Sequence, residues 1–348
     1  MTLEFLTLPR EEQRAYLIEC GTSIGLSPVI VEKDFWVCWT LAVLFRSSFA
    51  DDLVFKGGTS LSKVFGAVDR FSEDIDLSLS PEFLKLPAPG ESRNQANKWM
   101  ERAEVTCIEV VRDSLQPELA GLMASDLHDV DVTGADVAGI ADERLVFEID
   151  AHTNSPVLLF HYPTTLPAGL DYLKRSVKLE FGSLTEQRPT GRHPVSPWLA
   201  DAFPAAFPDW SCNVVALEIE RTFWEKATIL HAEYHRPAGK PTPDRFSRHY
   251  ADIAALAKHP DGRKAIALGD VCQKVVDWKA RFFGSSWARY DLAVQGTFRL
   301  LPAEGRVSEL RGDYQAMRDM YLSDPPSFDE VLSQLTELEL QINQKDAQ

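Results

Sequence analysis

Lys56-Gly57-Gly58-Thr59-Ser60, followed by Arg70-Phe71-Ser72-Glu73-Asp74-Ile75-Asp76-Leu77-Ser78-Leu79, is the stretch on which the fold turns. Leu53-Val54-Phe55-Lys56 reads as a short strand. Gly57 and Gly58 let the backbone turn sharply and approach a ligand. Thr59 and Ser60 then open a short helical stretch to about Phe65, where free N–H groups and a hydroxyl favour an anion. Asp74 to Leu79 alternates polar and apolar residues, as a half-buried strand does. Alternate residues of a strand share a face, so the Asp74 and Asp76 carboxylates converge. Two hard oxygen ligands in that arrangement suit Mg²⁺ and repel each other without a cation. Taken alone, Gly-Gly is usually a turn and Asp-x-Asp a solvated strand edge. The order strand–GGTS–helix–strand–DxD is what carries information. No Gly-Lys-Ser/Thr follows, so this is no Walker P-loop, and the third glycine of a dinucleotide fingerprint is missing.

Working outward, Ser27-Pro28 predicts a helix start with Ser at N-cap and Pro at the first helical position. The helix after it is apolar nearly all round and reads as central to the core. Residues near 91–115 read as a helix, and an Asp- and Gly-rich segment at about 117–142 as an inserted loop. Leu145–Ala151, Val157–Tyr162 and Ser176–Phe181 read as strands. Pro189 to Pro208, dense in proline, reads as a linker. From about 217 the pattern is helical, with Thr242-Pro243 as a second cap-then-proline start and an amphipathic helix with an acidic tail at the end. The expected organisation is α+β: residues 1–188 a mixed sheet with flanking helices, residues 189–348 a mostly helical domain, and an active site between them.

The 348 residues are 45% hydrophobic and 25% charged, ordinary for a globular chain and outside the disordered class. The net charge of −16 disfavours broad electrostatic capture of nucleic acid. RNA binding would need a local basic patch on an acidic body. Cys20, Cys38, Cys107, Cys212 and Cys272 are scattered, without C-x-x-C spacing, as expected of a reducing compartment without a zinc site. No signal peptide is visible, and the apolar run Phe35–Phe45 is shorter than the roughly 20 residues a membrane span needs. A cytoplasmic location is expected.

Gly57-Gly58-Thr59-Ser60…Arg70-Phe71-Ser72-Glu73-Asp74-Ile75-Asp76-Leu77 resembles the first motif of the AbiEii/AbiGii toxin family. That family belongs to the polymerase β-like nucleotidyltransferases and forms the toxin half of type IV, abortive-infection toxin–antitoxin pairs. Lys178-Leu179-Glu180-Phe181-Gly182 resembles its second motif and Thr222-Phe223-Trp224-Glu225-Lys226 its third. Arg245-Phe246-Ser247-Arg248-His249-Tyr250-Ala251-Asp252 resembles its fourth, with tighter arginine spacing than in some members. The resemblance implies a polymerase β-like sheet. It further implies Mg²⁺-dependent transfer of a nucleoside monophosphate from an NTP to RNA, with a tRNA 3′ end as acceptor, loss of translation, a role in phage defence and a separately encoded AbiEi-type antitoxin.

On this reading Asp74 and Asp76 are the metal ligands. Glu180 is the third acid, facing the attacking hydroxyl, and Lys178, on the same strand face, neutralises phosphate charge. Gly57, Gly58, Thr59, Ser60, Lys63, Lys226, Arg245 and Arg248 are the expected NTP contacts, supported by Glu225 and Asp252. Thr222, Glu225 and Lys226 fall on one helical face, as do Arg245, Arg248 and Asp252, opposite Phe246, Tyr250 and Ile253. Competing readings stay open. Lys178 and Glu180 can be a plain cross-strand ion pair, and the two charged helices can simply be salt-bridged to each other. His231 and His235 have zinc-compatible spacing without the H-E-x-x-H order. His249 can touch a phosphate or pack. Trp36, Trp39 and Trp224 read as core, and Cys38 as inert. Alternative functions are transfer to a protein or a small molecule, which the acidic charge favours, and a non-catalytic nucleotide-binding module.

Overall fold

The computed structural model describes residues 4–344 apart from 89, 91, 129, 131–143, 168–173, 185 and 209. The chain divides into two compact units. The first comprises Met1–Val64, Ser72–Pro89 and Lys98–Ala216, the second Phe65–Phe71, Gly90–Asn97 and Leu217–Gln348. The border thus falls after Ala216 rather than at residue 188, and two short segments from the first half of the chain belong with the second unit.

In the first unit, helices α1 (Glu4–Thr7), α2 (Arg10–Ile24) and α3 (Pro28–Leu44) precede β1 (Leu53–Lys56), α4 (Gly57–Lys63) and β2 (Asp74–Leu79). Helix α5 (Arg93–Val110) runs through a π-helical turn at Val111–Leu115 into α6 (Gln116–Leu127). Strands β3 (Leu145–Ile149), β4 (Pro156–Phe160), β5 (Val177–Gly182) and β6 (Thr190–Val195), helix α7 (Trp198–Ala202) and strand β7 (Cys212–Leu217) complete it. The seven strands form one mixed sheet in the order β3-β4-β5-β2-β1-β7-β6. Strand β2 is antiparallel to β1 and parallel to β5. Alternation decides the faces: Val177, Leu179 and Phe181 are buried, while Lys178, Glu180 and Gly182 are half-buried.

Helix α3 is buried along nearly its whole length, which fits its apolar sequence. Ser27 caps it through the Val29 N–H, with Pro28 in its first turn. Trp36 stacks on Tyr162 at 5.6 Å and Trp39 on Phe160 at 5.2 Å, so both tryptophans are core. The five cysteines are free, and burial pushes the Cys38 thiol well up, as for an inert group.

Three expectations change. The segment at 117–142 begins as helix α6, whose Leu119, Met123 and Leu127 form a buried stripe; its 131–142 part lies outside the described residues. The proline-rich 189–208 stretch is not a bare linker, because it holds β6 and α7. Pro194 is tolerated in β6 because that strand is at the sheet edge. Thr242-Pro243 does not start a helix. Helix α9 begins at Ser247, and its first turn is capped by Asp313, which accepts from the Arg245 N–H at 2.7 Å and the Ser247 N–H at 2.8 Å.

The second unit is helical: α8 (Ile219–Tyr234), α9 (Ser247–Lys258), α10 (Pro260–Ile266), α11 (Gly269–Phe282), α12 (Val307–Ala316) and α13 (Phe328–Asn343). Helix α8 packs on α9, α10 and α11, and α9 packs on α12 and α13. The amphipathic α13 starts in a capping box formed by Ser327 and Glu330. No helix among the described residues is long and apolar enough to cross a membrane.

Candidate active site

The centre of the sheet brings the first two motifs together. In the β2–β5 register Asp74 faces Lys178 and Asp76 faces Glu180. On the other side of β2, Asp76 faces Lys56 of β1. Strand β1 runs directly into Gly57, whose φ of +82° is a conformation that favours glycine. A Cβ built there would lie 1.9 Å from Asp76 Oδ2, so the carboxylate occupies the space a side chain would need. Thr59, which is buried, donates its hydroxyl hydrogen bond to the Asp74 carbonyl and ties the start of α4 to β2. The GGTS turn and the DxD strand are therefore one packed object.

Gly57→Ala is expected to weaken Mg²⁺–NTP binding by on the order of tenfold, measured by titration calorimetry. Gly66→Ala is the comparison. That residue also has a positive φ, of +60°, but a Cβ added to it would meet nothing within 4 Å, so it carries the backbone strain without displacing a carboxylate. Equal binding by the two variants would show that contact with Asp76 is unimportant.

Electrostatics single out the same carboxylates. Burial, then the Glu180 and Asp76 charges, push Asp74 up to about 6, against the opposing charge of Lys178. Lys178 donates to Glu180 and, at 3.2 Å, to Asp150, which follows β3. Burial works to lower the Lys178 amine, but hydrogen bonds and charge from Glu180 and Asp150 outweigh it and hold it above its ordinary value. Asp150 is held well below the usual carboxylate range by the Thr153 and His152 N–H groups. Glu180 is thus ion-paired with Lys178, and both are about 30% exposed.

Lys63 has its own partners. Its amine pairs with buried Asp34 at 2.7 Å and lies 4.6 Å from the centre of the Trp198 ring, so this expected NTP contact is engaged in an ion pair. Ser60 is buried on α4.

The third and fourth motifs lie in the second unit. Asp252, on α9, accepts a bidentate pair of bonds from Arg70 at 2.8 and 2.9 Å and a third from Lys226 at 2.9 Å. Burial would raise its pKa, but the two cations reverse that and hold it far below the carboxylate range. Lys226 is therefore engaged in a buried ion pair. Glu225 accepts from Arg221 at 3.1 Å, and its carbonyl accepts from Lys279 at 2.7 Å. Burial, with help from Arg221 and Lys226 and against Glu225, brings the Lys279 amine down to about 8. Arg245 does not share a helical face with Arg248 and Asp252: it precedes α9, is exposed and has φ +58°. Arg248 is half-buried, while Phe246, Tyr250 and Ile253 are buried as expected.

The remaining candidates resolve into packing. His231 Nδ1 accepts from the Arg299 N–H at 3.1 Å and its Nε2 bonds the Arg289 carbonyl at 3.0 Å, which leaves neither nitrogen for zinc. His249 packs against the Phe246 ring. Trp224 is core, donating to the Ala265 carbonyl at 2.9 Å. Sequence reasoning missed Lys56, Asp150, Arg70, Arg221 and Lys279. Three of these had a local signal: Lys56 enters the glycine turn, Arg70 opens the Arg70–Leu77 segment, and Arg221 stands four residues before Glu225 on α8; Asp150 and Lys279 reach their partners through tertiary packing.

Among the described residues no group of three or more His, Cys, Asp or Glu side chains is arranged to enclose a metal ion. Mg²⁺ does not require one. It is usually bound through one or two carboxylates, with substrate phosphates and waters completing the shell. Asp74 and Asp76 fit that mode, since burial and then the charges of Glu180 and Asp76 raise the Asp74 pKa and a cation there would relieve them.

Comparison with known proteins adds the family. No curated protein matches the chain. Among solved structures, it is similar to MenT4, a nucleotidyltransferase toxin from Mycobacterium tuberculosis H37Rv. The identity is 15% and the TM-score 0.33, over 89% of this chain and 99% of that one. The family described as nucleotidyl transferase AbiEii toxin, type IV toxin–antitoxin system, matches residues 39–334, a span containing all four motifs. The chain belongs to the AbiEii nucleotidyltransferase toxin family.

Proposed function

We propose that the chain transfers a nucleoside monophosphate from an Mg²⁺-bound NTP to an RNA acceptor, with the 3′ end of tRNA the favoured substrate and arrest of translation the result. The observation that carries this reading is the packing of the Asp76 carboxylate over the positive-φ Gly57, with Asp74 on the same strand. Asp74 and Asp76 would hold the metal. When bound, Mg²⁺ neutralises charge on the triphosphate and fixes its orientation. The Gly57–Ser60 turn takes the phosphates. The acceptor hydroxyl oxygen attacks the α-phosphorus as the bond to the β-phosphate bridging oxygen breaks, and pyrophosphate leaves. Glu180 receives the hydroxyl proton, and Lys178 beside it balances the negative charge. The motif resemblance supports Arg245 and Arg248 as phosphate contacts. Family membership supports a separately encoded AbiEi-type antitoxin, action in the cytoplasm and a role in phage defence.

The charge of −16 favours a second reading, transfer to a protein or small molecule. One experiment separates the two. Purified protein is incubated with Mg²⁺, each α-labelled NTP in turn and total tRNA, beside Asp76→Ala. Label on RNA with one NTP, absent in the variant, is the expected result. Label on protein establishes the second reading. NTP binding without transfer leaves a non-catalytic module.

A further inference from the structure

Helix α3 carries three charged residues in a row, Glu32, Lys33 and Asp34, in the middle of an otherwise apolar sequence, and all three are buried, at 4%, 1% and 2% exposure. A buried charge is tolerated when it is paired, and each of these has its own partners. Glu32 accepts from Thr164 Oγ1 at 2.7 Å and from the Thr165 N–H at 2.8 Å, on the stretch that follows β4. Lys33 donates to Glu73, the residue directly ahead of Asp74, and at 3.0 Å to the Lys174 carbonyl ahead of β5. Asp34 pairs with Lys63 in the last turn of α4 and accepts from the Trp198 N–H at 2.8 Å. One turn of helix thus anchors the lead-in to β2, the lead-in to β5 and the far end of α4. Those segments carry Asp74 and Asp76, Lys178 and Glu180, and the Gly57–Ser60 turn.

Stability alone does not account for three such groups. Replacing a buried ion pair by apolar residues of similar volume is often neutral or stabilising. What Lys33 and Asp34 share is that their partners lead into the site; Glu32 holds only the stretch after β4. We propose that Lys33 and Asp34 are positioning residues for the transfer site, with Lys33 fixing β2 against the start of β5 and Asp34 holding the end of α4. The proposal rests on the reading of that site given above. Misplacement of reacting groups by about 1 Å costs on the order of a hundredfold in rate, so a rigid anchor behind the strands matters for turnover.

The test uses the full chain and three variants: Lys33→Met, Glu73→Gln and the double variant Lys33→Met/Glu73→Gln. Lys33→Met leaves Glu73 without its cation and is expected to lower both Tm and kcat. Glu73→Gln keeps an acceptor for Lys33 and is expected to stay close to wild type in kcat. The double variant removes both charges and is expected to recover Tm, yet to stay about tenfold below wild type in kcat with KM for the NTP unchanged. Recovery of kcat together with Tm in the double variant overturns the proposal, as does wild-type kcat in Lys33→Met. Absence of transfer by the unmutated chain overturns the reading of the site, and the anchor with it, and is distinguishable because no variant is needed to see it.

Discussion

Asp252→Ala is expected to lower the unfolding free energy by about 3–5 kcal/mol, the usual result of removing one partner from a buried charge network. Arg70 and Lys226 both direct their charges at this carboxylate, and their side chains are 4% and 10% exposed, so both charges are largely shielded from solvent. Urea unfolding at pH 7 measures the effect. A loss below about 1 kcal/mol would mean that the network is a solvated ion pair of the surface kind. Its pH dependence has a fixed sign. The folded-state pKa of Asp252 is depressed, so its contribution is complete above the ordinary carboxylate range and is lost as pH falls through and below that range. Removing all three charges with apolar residues of similar size is expected to restore most of the stability.

Asp74→Asn is expected to reduce transfer at least about a hundredfold and at the same time to stabilise the metal-free protein. The Asp74 pKa rises from 3.8 to about 6 on folding. Between those values the native state keeps a proton that the unfolded chain has released, so this group makes stability fall as pH climbs from about 4 to about 6, and the deficit is complete at pH 7. Asparagine removes that slope. Thermal unfolding without metal at pH 5 and pH 7 should show the variant gaining on wild type at the higher pH. If Mg²⁺ binds the native carboxylates as proposed, adding it should raise the Tm of wild type more than that of the variant. A variant no more stable than wild type at pH 7 would show that the carboxylates do not strain the site.

The parts of the fold legible in the sequence are those with local causes. Alternation gave β2 away, β-branched and aromatic content between turns marked β5, a cap followed by proline marked α3, and the glycine turn between strand and helix followed from Gly57 and Gly58. The four motif segments also fell into family order. What was hidden depends on distant residues. Helix α6 follows a π-helical turn, which shifts the buried face and breaks the 3.6-residue pattern, so its Asp- and Gly-containing sequence read as loop. The start of α9 is set by Asp313 rather than by Thr242, whose hydroxyl accepts from Arg306 instead. Of the candidate site, the pairing of Asp74 and Asp76 was visible from spacing alone. The engagement of Lys226 by Asp252 matches the reading of two helices salt-bridged to each other, whereas the fate of Lys63, taken up by Asp34, was not visible, because that partner across the fold leaves no trace in its own neighbourhood.

The register of the central strands also governs how the molecule comes into being. Lys56 and Gly57 meet Asp76 across a short span, but Asp74 lies beside Lys178, and Phe55 beside Ala216, pairs that join residues more than a hundred positions apart. Long loops must close before either pairing is rewarded, which places this sheet among slow-folding topologies. A ribosome adds roughly 5–20 residues per second, so a nascent chain carries Gly57 and both aspartates for several seconds before β5 exists to receive them. Chains released early, before Val177–Gly182 is made, hold Asp74 and Asp76, the proposed metal ligands, without Lys178 and Glu180, and are expected to be harmless to the cell that makes them.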